Sequence, residues 1–266
     1  IFPEDLEIGQ ILCSHKGNRY IRHNDIQFYI DPNDMNCALD FDTVVFKPDF
    51  DHKTATVQRV LKRESNQIVC ELNFCGKKKH LSSYNTPSKI DIIIDEDELD
   101  SFIEGDRFVV EIDNLSFLNS TKGKIIEKLG NKNDPDIEEI SIANSKGFST
   151  NYSNKYLEEI KAIPSEVKEE EILNRLDLRD EEIFTIDSKY TKDMDDALSL
   201  KILPNGNFLL GVHIANVSHY VKRNSEIFND AINRGTSVYM ANSVIPMLHF
   251  VLSNGICSLN PEVDRL

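Results

Sequence analysis

Two stretches of this chain repeat each other without a gap at an offset of 64 residues, and that repeat limits the fold more than any other feature. The first runs from Phe28-Tyr29-Ile30-Asp31 to Asp42-Thr43-Val44-Val45-Phe46, the second from Ile92-Ile93-Ile94-Asp95 to Asp106-Arg107-Phe108-Val109-Val110. Ile30/Ile94, Asp31/Asp95, Asp42/Asp106 and Val45/Val109 are identical pairs, and Met35/Leu99, Leu39/Ile103 and Asp40/Glu104 are similar. Each unit reads as strand, short acidic turn or helical turn, then strand, with one more strand behind it (Thr56 to Lys62; Lys124 to Lys128). Several short strands in so little chain predict a small all-β barrel. A repeat predicts two of them in tandem. Barrels of the OB type commonly bind oligonucleotides, but a stable scaffold is also duplicated for other ends.

Composition narrows the class. The chain has 266 residues, 40% hydrophobic and 28% charged, the profile of a globular protein with cores to bury. No stretch approaches the roughly 18 apolar residues of a membrane span. Collagen, coiled-coil and disordered readings fail for want of a short repeat and because apolar residues occur throughout. Thirty basic against 45 acidic residues give a net charge of −15, which argues against a simple electrostatic nucleic-acid binder. An enzyme whose acidic site takes up metal remains compatible with it. The five cysteines form no even framework, so reduced thiols and a cytoplasmic location are expected; a monomer is expected as well. Cys70 and Cys75 differ by an odd number on one strand, so they face opposite sides and make a poor zinc site with His80. The chain begins at Ile1 rather than Met, which leaves a preceding segment open.

Basic residues cluster locally despite the acidic total. Lys77, Lys78, Lys79 and His80 fall between two strand-like runs, Val69 to Phe74 and Lys89 to Ile94, with Tyr84 nearby; Arg19 and Tyr20, with Arg22 and His23, form a similar patch in the first unit. Such residues either neutralise phosphates and stack bases or simply solvate a turn. From residue 131 the character changes: Asp134-Pro135 marks a turn, Tyr156, Leu157 and Ile160 fit one helical face, and Pro164 interrupts it. Ser165 is placed to cap a second helix with Glu169-Glu170-Glu171 early and Arg175 late.

Chemistry concentrates further on. Phe184-Thr185-Ile186-Asp187 reads as a strand ending in a carboxylate, and a loop leads to Asp193-Met194-Asp195-Asp196-Ala197. An apolar strand through Leu200, the turn Pro204-Asn205-Gly206 and a return strand from Asn207 to Val217 follow, both strands reading as buried. Four carboxylates so close repel each other, and a divalent cation removes that penalty. Hard Mg²⁺ or Mn²⁺ prefers such oxygen ligands, and two such ions can bracket a scissile phosphate. A bare D-x-D-D string also suits a surface acidic loop. An EF-hand fits poorly, because Lys192 and Leu198 stand where its Gly and bidentate Glu are expected. His213 and His219, on the return strand, read as structural. Ser225 reads as an N-cap, Phe228, Ala231 and Ile232 as a buried face, and Gly235 as a C-cap.

Residues 184–266 resemble the start of the catalytic domain of the ribonuclease II / ribonuclease R family, on the ribonuclease R side. The strings that carry the likeness are Thr185-Ile186-Asp187, Lys192 to Ala197, Gly211-Val212-His213-Ile214-Ala215 and Val217-Ser218-His219-Tyr220-Val221. Arg234 to Tyr239, Val244 to Leu248 and Leu252 to Asn260 continue it, and Asp134-Pro135 and Arg175 to Asp180 fit the family's lead-in. The resemblance implies a multidomain α+β chain. Its parts are a cold-shock-like OB barrel in residues 1–64, a second in 65–130, a helical connector in 131–183 and the start of an α/β RNB catalytic domain in 184–266. It implies a processive 3′→5′ exoribonuclease that hydrolyses single-stranded RNA to nucleoside 5′-monophosphates with Mg²⁺, Mn²⁺ being an alternative. Asp187, Asp193, Asp195 and Asp196 then occupy the four catalytic aspartate positions. Asp187 and Asp196 are the main metal ligands, Asp193 supports them, and Asp195 is the carboxylate whose loss stops cleavage but spares binding. Tyr239 matches the tyrosine beside the 3′-terminal nucleotide.

The pattern also breaks. Asn216 stands where the family usually has Asp, Met240-Ala241-Asn242 replaces the usual Leu-Pro, and His249-Phe250 replaces a common Pro-Glu. The aromatic, glycine-rich signature of cold-shock strands is weak. The chain stops at Leu266, before the family's arginine and aromatic clamp and its C-terminal barrel, so these residues alone are expected to be inactive. The rival reading is a non-catalytic RNA-binding regulator with the same fold.

Overall fold

The computed structural model describes residues 5–14, 16–76, 78–86, 90–117 and 120–266. The chain divides into two compact units, one ending at Thr150 and the other beginning at Asn151, so the boundary falls inside residues 131–183.

The first unit holds two barrels. Strands β1 (Glu7–Cys13), β2 (Arg19–His23), β3 (Ile26–Ile30), β4 (Thr43–Asp49) and β5 (Thr54–Lys62) close in the order β1-β2-β3-β5-β4. Strands β6 (Gln67–Cys75), β7 (Lys78–Ser83), β8 (Asp91–Ile93), β9 (Asp106–Phe117) and β10 (Ser120–Asn131) close in the same circular order. The third and fifth strands of each barrel pair in parallel and the other neighbours antiparallel. A single 3₁₀ turn follows the third strand in both barrels, Pro32–Asp34 and Glu96–Leu99, where the repeat has its acidic stretch. Asp31 accepts the amide of Asn33 and caps the first.

The repeat's identical aspartates have a structural reason. Asp42 accepts the Leu39 amide at 2.9 Å and Asp106 accepts the Ile103 amide at 3.1 Å, each fixing the same bend into the fourth strand. Both carboxylates are fully buried and each meets a cation: Arg63 at 3.0 Å for Asp42, Lys128 at 2.7 Å for Asp106. Inward residues alternate along the strands, as a half-buried strand requires: Ile11, Ile21, Phe28 and Phe46 fill the first barrel, Leu72, Leu81, Ile92 and Phe108 the second. Cys37 and Leu39 leave the first barrel's sequence to join the second barrel's core. Helix α1 (Ile137–Ser145) packs on the second barrel, where Arg107 bonds Glu138 and Ser141.

The second unit holds α2 (Asn154–Lys161), α3 (Glu169–Ile172), the hairpin β11 (Asp196–Ile202) and β12 (Phe208–Ile214), α4 (Val217–Tyr220), α5 (Glu226–Arg234) and the two-residue strands β13 (Val238–Tyr239) and β14 (Val244–Ile245). Tyr156, Ile160, Ile227, Leu252 and Ile256 are central to its core. Ser225 caps α5 by accepting the Phe228 amide, and Gly235 closes it at φ 70°.

Several expectations are corrected. Phe184 to Asp187 is not a strand but makes one bridge, Phe184 to Leu198. The second connector helix is a single turn: its N-cap is Lys168, whose amide the Glu171 carboxylate accepts, while Ser165 lies in a bend before it. The return strand stops at Ile214, and His219 sits on α4. On α5 the buried residue is Ile227, whereas Ile232 is 62% exposed; on α2 Leu157 is exposed beside buried Tyr156 and Ile160. The hairpin is not buried either: Leu200, Ile202, Phe208, Leu210, Val212 and Ile214 are all more than half exposed. Its apolar sequence exceeds what the described residues cover. Lys78 to His80 lie in β7 rather than in the turn, which is made at Gly76.

Candidate active site and nucleic-acid face

The four aspartates lie on one loop whose two ends are held. Phe184 before it and Leu198 after it exchange both backbone hydrogen bonds at 3.0 and 2.8 Å. Within it, buried Ser258 binds twice: its hydroxyl donates to the Lys192 carbonyl at 2.8 Å and accepts the Met194 amide at 3.0 Å. Leu259 adds an amide bond to the Met194 carbonyl at 2.9 Å. Asp196 opens β11 opposite Ile214, and Asp187 follows the bridge, so the strands bring the loop's ends together.

Electrostatics mark Asp195. Partial burial, then the charges of Asp193, Asp196 and Asp187, raise its carboxyl above the ordinary range. That coupling is what four neighbouring carboxylates should show. Tyr239, 67% exposed, donates its hydroxyl to Asp193 Oδ2 at 2.9 Å. That hydrogen bond, then burial and the charges of Asp193 and Asp195, raise the phenol. The loop carries four carboxylates and neither His nor Cys, the oxygen-donor chemistry Mg²⁺ and Mn²⁺ prefer. Among the described residues no three His, Cys, Asp or Glu side chains form a ready ion cage. Mg²⁺ needs none, because one or two carboxylates with water and substrate phosphate suffice. The residues therefore fit a hard divalent cation, and the repulsion at Asp195 is what one would relieve. His213 bonds Ser199 at 2.9 Å and His219 bonds Glu171, away from the four aspartates in the hydrogen-bond network. Gly211 permits the first contact, since a Cβ there would meet Ser199 Oγ at 2.4 Å. Asn216 accepts the Ser218 hydroxyl at 2.9 Å at the start of α4.

The residues read as RNA-binding fare unequally. Tyr20 lies on the outer face of β2 directly opposite Tyr29 of β3. The alternation that buries Ile21, Phe28 and Ile30 turns both rings outward, and Tyr29 is 49% exposed. Sequence reading missed Tyr29, although its place between two buried neighbours was the available signal. It also missed Phe50, exposed on the β4–β5 turn that borders this face in OB folds. Arg19 is forked onto Asp40 at 2.9 and 3.2 Å, so its charge is partly used. In the second barrel Lys78 is exposed, whereas Lys79 donates to the carbonyls of Leu99 and Asp100. Tyr84 is covered by the Arg107 guanidinium, 4.0 Å from its ring centre, and bonds Glu138. Lys77 and Lys89 lie outside the described residues.

Two family models match the chain: the RNB domain over residues 175–266 and the cold shock domain over 83–153. With closed barrels ahead of an acidic-loop domain, these define an RNB-type ribonuclease architecture. The chain belongs to the ribonuclease II / ribonuclease R family. It is 35% identical to ribonuclease R of Thermotoga maritima over 273 aligned residues, which cover 99% of this chain and 38% of that protein. It superposes on Mycoplasma genitalium RNase R, solved with ribose-methylated single-stranded RNA, with a TM-score of 0.76 and 28% identity, covering 96% of this chain and 42% of that one. Yeast Ssd1, a pseudonuclease, shares the fold at a TM-score of 0.62 and 18% identity, covering 97% of this chain and 40% of that one. The chain thus spans about two fifths of these relatives. Ribonucleases of the family are metal-dependent in general.

Proposed function

We propose that the protein carrying this chain is a 3′→5′ exoribonuclease that degrades single-stranded RNA processively to nucleoside 5′-monophosphates, with Mg²⁺ or Mn²⁺, as a cytoplasmic monomer. One observation carries it: four aspartates on a loop pinned at both ends, with Asp195 feeling the charge of the other three. A loop that only faced solvent would have no use for such repulsion.

Asp187 and Asp196, at the two ends, would hold the cation, with Asp193 in support. Bound there, a divalent ion lowers the pKa of water and stabilises charge on the leaving oxygen. Tyr239 orients Asp193 through its hydroxyl and offers a ring beside the 3′ nucleotide. Tyr20 and Tyr29 offer stacking faces to an approaching strand. These 266 residues alone are proposed to cut weakly or not at all.

The test is full-length protein with 5′-labelled single-stranded RNA and Mg²⁺, beside Asp195→Asn. Shortening from the 3′ end with release of monophosphates, and a variant that binds without cutting, is the expected result. Binding without cutting by both proteins would favour the regulator, a reading the fold shared with a pseudonuclease keeps open.

A further inference from the structure

The tip of the aspartate loop has a composition that its fold does not require. The Thr191 amide donates to the Ser188 carbonyl at 3.0 Å, a tight turn with Lys189 and Tyr190 at its centre. Such positions ordinarily draw Gly, Pro, Asn, Asp or Ser. Tyr190 is instead 83% exposed, so its ring packs against almost nothing. Lys189 and Lys192 are exposed as well. No hydrogen bond or ion pair holds the side chains of Lys189, Tyr190 or Lys192 among the described residues, although four carboxylates are near in sequence. Tyr190 is three residues from both Asp187 and Asp193. Chain length alone therefore keeps its Cα within about 11 Å of each. The base of the turn is fixed by the Phe184–Leu198 bridge and by Ser258, so the tip is presented from a set position.

We propose that Lys189 and Tyr190 form a nucleotide-binding tip on this loop. Tyr190 stacks on the base next to the scissile phosphate, and Lys189, with Lys192 behind it, neutralises the adjoining phosphate. The proposal rests on the exoribonuclease reading and commits to single-stranded RNA. An aromatic ring and ammonium groups without internal partners are what such a strand needs, the ring for a base and the charge for the backbone. They also answer a problem of the site: its carboxylates repel incoming phosphates, and Lys189 and Lys192 are the cations placed within the same ten residues. Tyr190 is a substrate-binding residue here: its ring meets a base and takes no part in the bond that breaks.

Full-length wild type, Tyr190→Ala, Tyr190→Phe and Lys189→Ser are compared on a single-stranded oligoribonucleotide with Mg²⁺, reading KM, kcat and the salt dependence of KM. Tyr190→Ala is expected to raise KM about 5- to 150-fold, the range for one lost stacked base, with kcat kept at saturation. Tyr190→Phe keeps the ring and should restore KM to within about twofold. Lys189→Ser should reduce the log–log salt slope by about 0.7, one phosphate contact to a single strand. The proposal is overturned if Tyr190→Ala matches wild type, if Tyr190→Phe is as impaired as Tyr190→Ala, or if kcat falls at unchanged KM. A wild type that neither binds nor cuts RNA defeats the exoribonuclease reading instead, before any variant is compared.

Discussion

Tyr156 shows how much one hydroxyl ties down in the second unit. Its ring is buried and stacked on Tyr152 at 4.5 Å, and its oxygen accepts the His249 amide at 3.2 Å. Burial pushes the phenol up to about 12 from the ordinary 10. Unfolding therefore releases a proton between those pH values: stability is unaffected below pH 10 and falls as pH rises from 10 to 12, by about 3 kcal/mol. Tyr156→Phe should cost about 1 kcal/mol at pH 8 through the lost hydrogen bond and lose less than wild type above pH 10. Urea unfolding of both proteins at pH 8, 10 and 12 checks this, and parallel curves would refute it. Residues with a local job were readable at this scale. Ser225 and Gly235 cap α5 by bonds within one turn, which sequence neighbours suffice to signal. Ile232 was misread because Ile227 and Ile232 are equally apolar, and only the packing partner decides which is covered.

The two equivalent aspartates differ most in their cations. Arg63 is buried, bonds the Cys37 carbonyl at 3.1 Å and Asp42 at 3.0 Å, and reaches Asp113 in β9 at 3.4 Å. It stands between β5 and β6 and so fastens one barrel to the other. Burial pushes the Asp42 carboxyl up, and the Leu39 amide and Arg63 offset this only in part. Lys128 is 43% exposed, and Asp106 keeps Asn131 and an amide without it. Arg63→Ala, which strands a buried charge, should cost about 3–5 kcal/mol. Lys128→Ala should cost about 1 kcal/mol or less. Thermal or urea unfolding of the two variants measures the contrast, and equal costs would show that Arg63 is not a clamp. Offset alone revealed that these aspartates correspond. It did not show that each fixes a bend, because the donor amides of Leu39 and Ile103 are specified by backbone path rather than by residue type.

For the whole molecule, the first unit carries both barrels and α1 together. Cys37 and Leu39 sit in the second barrel's core, so the first barrel cannot come away without opening the second. A fragment of residues 1–150 should therefore unfold in urea in one transition with coincident fluorescence and circular-dichroism curves, whereas two separated transitions would contradict a shared core. In the second unit the hairpin of β11 and β12 leaves its apolar side chains open, which a reading of their sequence as buried strands did not anticipate. Apolar sequence states what a strand prefers to cover, and the surrounding chain decides whether it is covered.

By itself the sequence determined what is local or repeated. The 64-residue offset carried the duplicated barrel, since identical strand patterns must make identical sheets. The spacing of Asp187, Asp193, Asp195 and Asp196 put four like charges within ten residues, which no fold can separate widely. Tertiary structure decided what depends on residues far apart in the chain. Ser258, more than sixty positions beyond Lys192, pins the aspartate loop, and Arg107 covers Tyr84, removing a ring that had looked free to stack. Tyr29 became a partner of Tyr20 only once β2 and β3 fell into register. The physical reason is common to all three: a hydrogen bond, a ring contact or a strand pairing is set by distance in space, and the chain's order fixes that distance only over a few residues.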